Sequence, residues 1–212
     1  MCQMARVDCK WKYNNKNLIF VLCGPPGAGK TSLKIPILER HPDIRLCPSV
    51  TTRPERKEPH TIKEYYYITD AEYERLYKNG ELISKKVRQF GFYYGIKPSE
   101  IIDILDSGYH VLLETTLWGV DQLKNYFNNV ISIFVAPPSL TELKRRLKKR
   151  KREGDKEFAF RFDLAKQILT NFKRDMVDYY LINEDLATSI DIINSIITQE
   201  KLKLDNEPAG RF

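Results

Sequence analysis

The residues best suited to chemistry lie together near the start of the chain. Gly24-Pro25-Pro26-Gly27-Ala28-Gly29-Lys30-Thr31 satisfies the spacing G-x-x-x-x-G-K-[ST]. Glycines let a backbone wrap tightly, so that several N–H groups can point at phosphate oxygens. A helix beginning at the end of the loop adds its positive N-terminal end. Lys30 is a compact positive charge for β and γ phosphates, and the Thr31 hydroxyl is a candidate Mg²⁺ ligand. The candidate triphosphate-binding residues are Gly24, Gly27, Ala28, Gly29, Lys30, Thr31 and Ser32. A Gly/Pro loop that merely turned the chain would not need an apolar strand before it and a helical pattern after it. Such a loop alone leaves kinase, switch GTPase, ATPase and phosphate-binding relic all open.

A second constellation follows at Ser49-Val50-Thr51-Thr52-Arg53-Pro54-Glu55-Arg56, where Arg53 and Arg56 stand among three hydroxyls. Arginine forks grip phosphate oxygens in pairs, which suits an acceptor that already carries a phosphate. Tyr65, Tyr66 and Tyr67 and the run Phe92-Tyr93-Tyr94-Gly95 add hydroxyl donors. The plainer reading is a solvated loop beside tyrosines packed on a small sheet. Further on, eight of the nine residues from Lys144 to Arg152 are basic, and Arg146 and Arg150 share a helix face. Most of that run reads as a solvated face; contact with nucleic-acid phosphates is the less favoured reading.

These groups need a scaffold. Leu18–Cys23 is a continuous apolar run that ends at the glycine loop, the pattern of a buried parallel strand. Thr31–Arg40 has helical spacing and ends at His41-Pro42, and Pro36 within it predicts a kink. Thr69 and Glu72 have capping-box spacing for a helix over 69–79 that Gly80 closes. A short helix over 99–107, strands at His110–Glu114 and Val130–Val135, and helices over 139–152 and 155–176 follow. A strand at Tyr179–Ile182 and an amphipathic helix over 186–197 close the chain. Alternating strands and helices predict an α/β fold of three layers, with a parallel central sheet between helices. Ligands of such sheets gather at the carboxyl ends of the strands.

Bulk composition agrees. The 212 residues, 42% hydrophobic and 11% aromatic, suit one globular α/β domain. A formal charge of +7, from 35 basic and 28 acidic residues, suits anionic ligands or simply solubility. No apolar run approaches the roughly 20 residues that span a bilayer, and no h-region follows the first charges. A soluble, cytoplasmic protein without a membrane partner is expected, as a monomer or homodimer. Cys2, Cys9, Cys23 and Cys47 lack metal or redox spacing and are expected as reduced thiols. His41, His60 and His110 are scattered.

Across Leu18–Ile197 the chain resembles the guanylate kinase family, in GPPGAGK, SVTTRPER, FYYG, APPSLTELKRRL and VDYYLINEDL and in their order. The resemblance implies a P-loop core within 17–204, a small mixed nucleoside-monophosphate-binding subdomain over about 47–97 and a helical lid over about 137–166. Residues 1–16 are then an N-terminal extension and 205–212 a flexible tail. It implies transfer of the γ-phosphoryl group of ATP to GMP or dGMP with Mg²⁺. By position, Ser49, Arg53, Arg56, Tyr65 and Tyr94 match the acceptor grip. Arg150 and Arg161 match lid arginines that close on the transferring phosphate, and Asn183 stands near the adenine of ATP. Lys30, Arg53, Arg150 and Arg161 are the implied catalytic groups.

The departures fall on the guanine-reading side. Ser84 replaces a glutamate and Glu114 an aspartate, and both stay in the candidate acceptor set. Thr116, Trp118 and Ile96 replace an aspartate, a glutamine and a serine, and Pro59 falls where a further glutamate would be, unless Glu58 serves. A base-reading site loses discrimination when a partner goes. Another nucleoside monophosphate, ribose 1,5-bisphosphate, or a non-catalytic phosphopeptide-binding module therefore remain as alternatives. Lys30 and the complete loop argue against the module.

Overall fold

The computed structural model describes residues 12–55, 62–149 and 155–206. Arg56, Arg150 and the Lys57–Pro59 segment lie outside the described residues. The central sheet contains β1 (Ile19–Cys23), β2 (Ile44–Leu46), β6 (His110–Glu114), β7 (Val130–Ala136) and β8 (Tyr179–Ile182). Its order is β2-β6-β1-β7-β8, and every pairing is parallel. β1 is the middle strand, so it is covered on both faces, and all five of its residues are buried.

Alternation along β1 builds the three layers. Ile19, Val21 and Cys23 face one core, shared with Ile101 and Leu105 of α3 (Pro98–Asp106) and Val120 and Leu123 of α4 (Leu117–Tyr126). Phe20 and Leu22 face the other, shared with Leu33 and Ile37 of α1 (Lys30–Arg40) and Ile193, Ile196 and Ile197 of α7 (Leu186–Asp205). Each such aliphatic or aromatic side chain contributes about 1.5–3 kcal/mol by leaving water.

Two appendages sit on this core. The first is a mixed sheet of β3 (Ser49–Thr51), β4 (Tyr65–Tyr67) and β5 (Tyr94–Gly95) in the order β4-β3-β5, parallel then antiparallel. Helix α2 (Asp70–Lys78) packs on it through Tyr73 and Leu76, against Val50 and Leu82. The Thr69 hydroxyl accepts from the Glu72 N–H at 3.1 Å, the cap expected from the sequence. The second is a helical pair, α5 (Leu140–Lys149) and α6 (Asp155–Asn171), held by Leu143, Leu147 and Ala165 with Phe158 and Phe162.

Some elements differ from the sequence reading. α1 begins at Lys30 and runs unbroken through Pro36. The helix expected to reach residue 176 stops at Asn171, and a 3₁₀ turn covers Arg174–Met176. α7 continues to Asp205, well past Ile197. Tyr13, within the expected extension, docks on the core: its N–H donates to the Tyr126 carbonyl at 2.8 Å and its ring meets Phe127 edge-on. Among the described residues no helix is long and apolar enough to cross a membrane.

One polar clamp fixes the last strand. Asp178, just before β8, accepts from the Ser132 N–H at 2.7 Å and hydroxyl at 2.6 Å, and pairs with Lys124 at 2.8 Å. Burial alone would raise the Asp178 carboxyl, but Lys124 and the Ser132 donors outweigh it and hold it below the usual carboxylate range. Its side chain is 36% exposed, so solvent screens the ion pair. Asp178→Ala should cost about 1–2 kcal/mol, seen as a lower urea midpoint at unchanged slope. Because the folded-state pKa is depressed, the stabilisation is complete above about pH 4, near the unfolded value. It is lost as pH falls through the folded value, so the two proteins' stabilities should converge in acid.

Candidate active site

Parallel strands bring their carboxyl ends to one edge of the sheet. There β1 opens into the glycine loop, β6 ends at Glu114, β7 ends at Ala136 and β8 leads into Asn183. The loop needs its glycines. Gly24 (φ 130°) lies so close to the Val135 carbonyl that no Cβ could fit, and Gly29 (φ 100°) is equally close to the Asn183 amide. The Asn183 Nδ2 donates to the Ala28 carbonyl at 2.7 Å, and its own N–H donates to the Ala136 carbonyl at 2.8 Å. Asn183 thus braces the loop from the end of β8.

Lys30 opens α1 and is buried. Its Nζ donates to the Gly24 and Pro25 carbonyls at 2.9 Å each and stands 3.5 Å from Glu114 Oε1. Burial lowers the Lys30 pKa despite the pull of Glu114. Glu114 responds in the opposite sense. Burial would raise it, but Lys30 and Lys34 hold it ionised below the usual carboxylate value.

Lys34 was not singled out by the sequence reading. It lies one helical turn beyond Lys30, is 3% exposed, and pairs with Glu114 Oε2 at 3.0 Å and with Glu64. The signal was present: two lysines four apart share a helix face and repel, so a buried face demands counter-charge. What the sequence could not show is that β6 and the approach to β4 supply it.

Glu64 leads into the acceptor-side cluster. The Ser49 N–H donates to the Glu64 carbonyl at 3.0 Å. Tyr65 lies 6.2 Å from Tyr94, ring to ring, and carries the Arg53 guanidinium 4.9 Å above its face. Burial, with the nearby charges of Glu114 and Glu64, pushes the Tyr65 hydroxyl up to about 12, so it is a donor at neutral pH. Arg53 Nε is buried and has no hydrogen-bond partner among the described residues. An unmatched buried donor is costly unless a ligand completes it. Lys30, Glu114, Ser49, Arg53, Tyr65 and Tyr94 therefore form one continuous region.

Ser84 is engaged otherwise. Its hydroxyl donates to the Tyr94 carbonyl at 2.8 Å, accepts from the Lys86 N–H at 3.1 Å and touches the Tyr73 hydroxyl. Nearby, Lys85 Nζ lies 5.2 Å over the Trp118 ring.

On the opposite side of the loop a cavity of about 300 Å³ is lined by Gly27, Gly29, Ser32, Arg146, Asn183 and Leu186, among others. Arg146 faces the loop: its guanidinium donates to Glu142 at 2.8 Å and to the Glu184 carbonyl at 3.3 Å. Arg161, 8% exposed, donates to Glu157 at 2.7 Å and lies 4.3 Å over Phe90, whose ring meets Phe160 edge-on. Phe90 has φ 54°, unusual for a bulky residue. It brings the small subdomain into contact with Arg161 of α6, a contact no motif announced.

Mg²⁺ takes hard oxygen donors. Thr31, exposed in the first turn of α1, offers a hydroxyl. Among the described residues no group of three His, Cys, Asp or Glu could hold a metal alone. That donor set fits an ion carried mainly by phosphate oxygens and water, with Thr31 as protein ligand.

The comparisons with known proteins agree with this geometry. The family model described as guanylate kinase matches residues 16–200. A guanylate kinase of Thermotoga maritima is 33% identical over 189 residues, covering 89% of this chain and 90% of its own. One from a Wolbachia of Brugia malayi is 36% identical over 190 residues, covering 89% and 96%. The crystal structure of guanylate kinase from Anaplasma phagocytophilum superposes with a TM-score of 0.68 at 28% identity, over 89% of this chain and 88% of that one. Since each match runs nearly the whole length of both partners, this chain belongs to the guanylate kinase family.

Proposed function

We propose that this protein transfers the γ-phosphoryl group of ATP to GMP or dGMP. The observation that carries the reading is the continuity of the two phosphate sites. Lys34, one turn beyond the P-loop lysine, pairs with Glu114 and with Glu64, the residue that leads into Tyr65 on the acceptor side. Phosphoryl transfer needs in-line positioning and neutralised oxygens more than covalent help. Lys30 would take the β and γ phosphates, with loop N–H groups of residues 27 to 32 around them. Thr31 would hold Mg²⁺, which supplies charge neutralisation when bound. Arg53, Arg56, Ser49, Tyr65 and Tyr94 would hold the acceptor phosphate, which is largely ionised at neutral pH and needs no general base. Arg150 and Arg161 would close from the lid, over about 137–166, as the subdomain of about 47–97 closes on the acceptor. That closure keeps water from the triphosphate. The nucleoside of ATP would lie in the cavity beside Asn183.

Guanine reading would fall to Glu114, whose oxygens hold Lys30 and Lys34 but keep further lone pairs for N–H donors, whereas the Ser84 hydroxyl is engaged within the subdomain. Cys23 and Cys47 are buried free thiols, which suits a reducing compartment, and we place the reaction in the cytoplasm.

The test is a coupled assay with Mg-ATP against GMP, dGMP, AMP, CMP, UMP, dTMP and ribose 1,5-bisphosphate. Turnover confined to GMP and dGMP is expected. Turnover of another acceptor would re-assign the pocket, and silence with intact ATP binding would overturn the kinase reading. Lys30→Ala should lower kcat by roughly 10²–10³-fold, as expected when a transition-state charge partner is lost; full activity would refute its role. Arg53→Ala should raise the acceptor KM by about tenfold or more while leaving the ATP KM nearly unchanged. An unchanged acceptor KM would show that the acceptor phosphate binds elsewhere.

A further inference from the structure

Among the described residues four charges beneath the loop pair with one another, the lysines buried and the carboxylates partly buried. Lys30 and Lys34 carry two positive charges, and Glu114 and Glu64 carry two negative ones. Glu114 divides its oxygens between the lysines, with Oε1 3.5 Å from Lys30 and Oε2 3.0 Å from Lys34. Lys34 also holds Glu64, so it is anchored by two carboxylates. Tyr65 and Cys23 also face this set, and both stay neutral near pH 7 because each is pushed up to about 12.

A triphosphate asks Lys30 to leave this arrangement. Its ammonium now rests on the Gly24 and Pro25 carbonyls with Glu114 close by. To reach phosphate oxygens it must weaken its hold on Glu114, and a partly buried carboxylate resists losing its cation. Lys34 removes that obstacle, because it remains on Oε2 whatever Lys30 does. Without Lys34, Glu114 would have Lys30 as its one near cation among the described residues and would compete with the phosphates for it. The site would also carry an uncompensated negative charge beside an anionic ligand.

We propose that Lys34 is a positioning residue: it holds Glu114 so that Lys30 is free to bind the triphosphate. The proposal rests on the reading of Lys30 as the triphosphate-binding lysine. It assigns the second lysine of α1 a part in nucleotide affinity although it need not touch the nucleotide.

The experiment is calorimetric titration of the full chain with Mg-ATP, with thermal unfolding of each variant recorded without nucleotide. Lys34→Met should weaken Mg-ATP binding by about tenfold or more, the equivalent of one charge-assisted hydrogen bond. Lys34→Arg should restore it, since a guanidinium can bridge the same carboxylates. Two paired variants separate positioning from bulk charge. Lys34→Met with Glu114→Gln and Lys34→Met with Glu64→Gln both restore the charge balance, but only the first releases Lys30. The first should recover affinity to within about threefold of wild type, and the second should stay weak. Should Lys34→Met alone fail to fold, Lys34→Arg and the paired variants carry the comparison. Wild-type affinity in Lys34→Met, equal recovery in both pairs, or recovery in neither would overturn the proposal while leaving the nucleotide reading intact. A wild-type chain that does not bind Mg-ATP would overturn both.

Discussion

The glycine loop can hold its shape only while three separate parts of the chain press on it. The Val135 carbonyl of β7 meets Gly24, the Asn183 amide after β8 meets Gly29, and Leu143 and Leu147 of α5 pack at Gly27. A phosphate cradle is a backbone structure, so its accuracy depends on what confines the backbone. Here the confinement comes from the sheet, its last strand and α5 at once. The parallel order of the sheet makes this possible, because it delivers the ends of β1, β6, β7 and β8 to one edge.

Charge organises the same edge in a second way. A buried ammonium is stable only with partners, and Lys30 and Lys34 share theirs with Glu114 and Glu64. Glu114 belongs to the core and Glu64 leads into β4 of the small subdomain. The ion cluster therefore spans the seam between nucleotide side and acceptor side. Arg53, stacked on Tyr65 with an unmatched Nε, continues it toward the place where the acceptor phosphate would sit. On the far side of the seam Phe90 reaches across to Phe160 and Arg161, so the small subdomain meets the core at one end and the helical pair α5–α6 at the other.

Much of this was legible in the sequence, for reasons that can be named. β1, β6 and β7 read as apolar runs because parallel strands buried on both faces need no alternation. Helix α2 carried its own start signal in Thr69 and Glu72. The glycine loop stood out because its spacing follows from backbone geometry. β2 was missed because it is three residues long, with only Ile44 buried, and its strand character comes from pairing with β6. α4 was missed because Leu117–Tyr126 follows β6 almost at once, where Thr115 and Thr116 look like strand or loop; the Thr116 hydroxyl in fact caps the helix by accepting from the Gly119 N–H. Ser84 could be aligned with a base-reading position, but not seen to bond Tyr94 and Tyr73, because those contacts arise only when the small sheet folds. The pairing of Lys34 with Glu64 and Glu114 likewise joins segments that composition cannot connect.

The bond from Asn183 to the Ala28 carbonyl joins residues 155 positions apart. A polypeptide growing from its N-terminus therefore displays the whole glycine motif early and lacks its brace until the eighth strand has emerged. Nascent or truncated chains hold the loop without the confinement that shapes it, and so should neither sequester nor waste nucleotide. On this geometry the brace of the loop is completed only with the last strand of the sheet. Once it has arrived, nucleotide bound at the loop stabilises every element that confines it, and the first strand and the last are protected together.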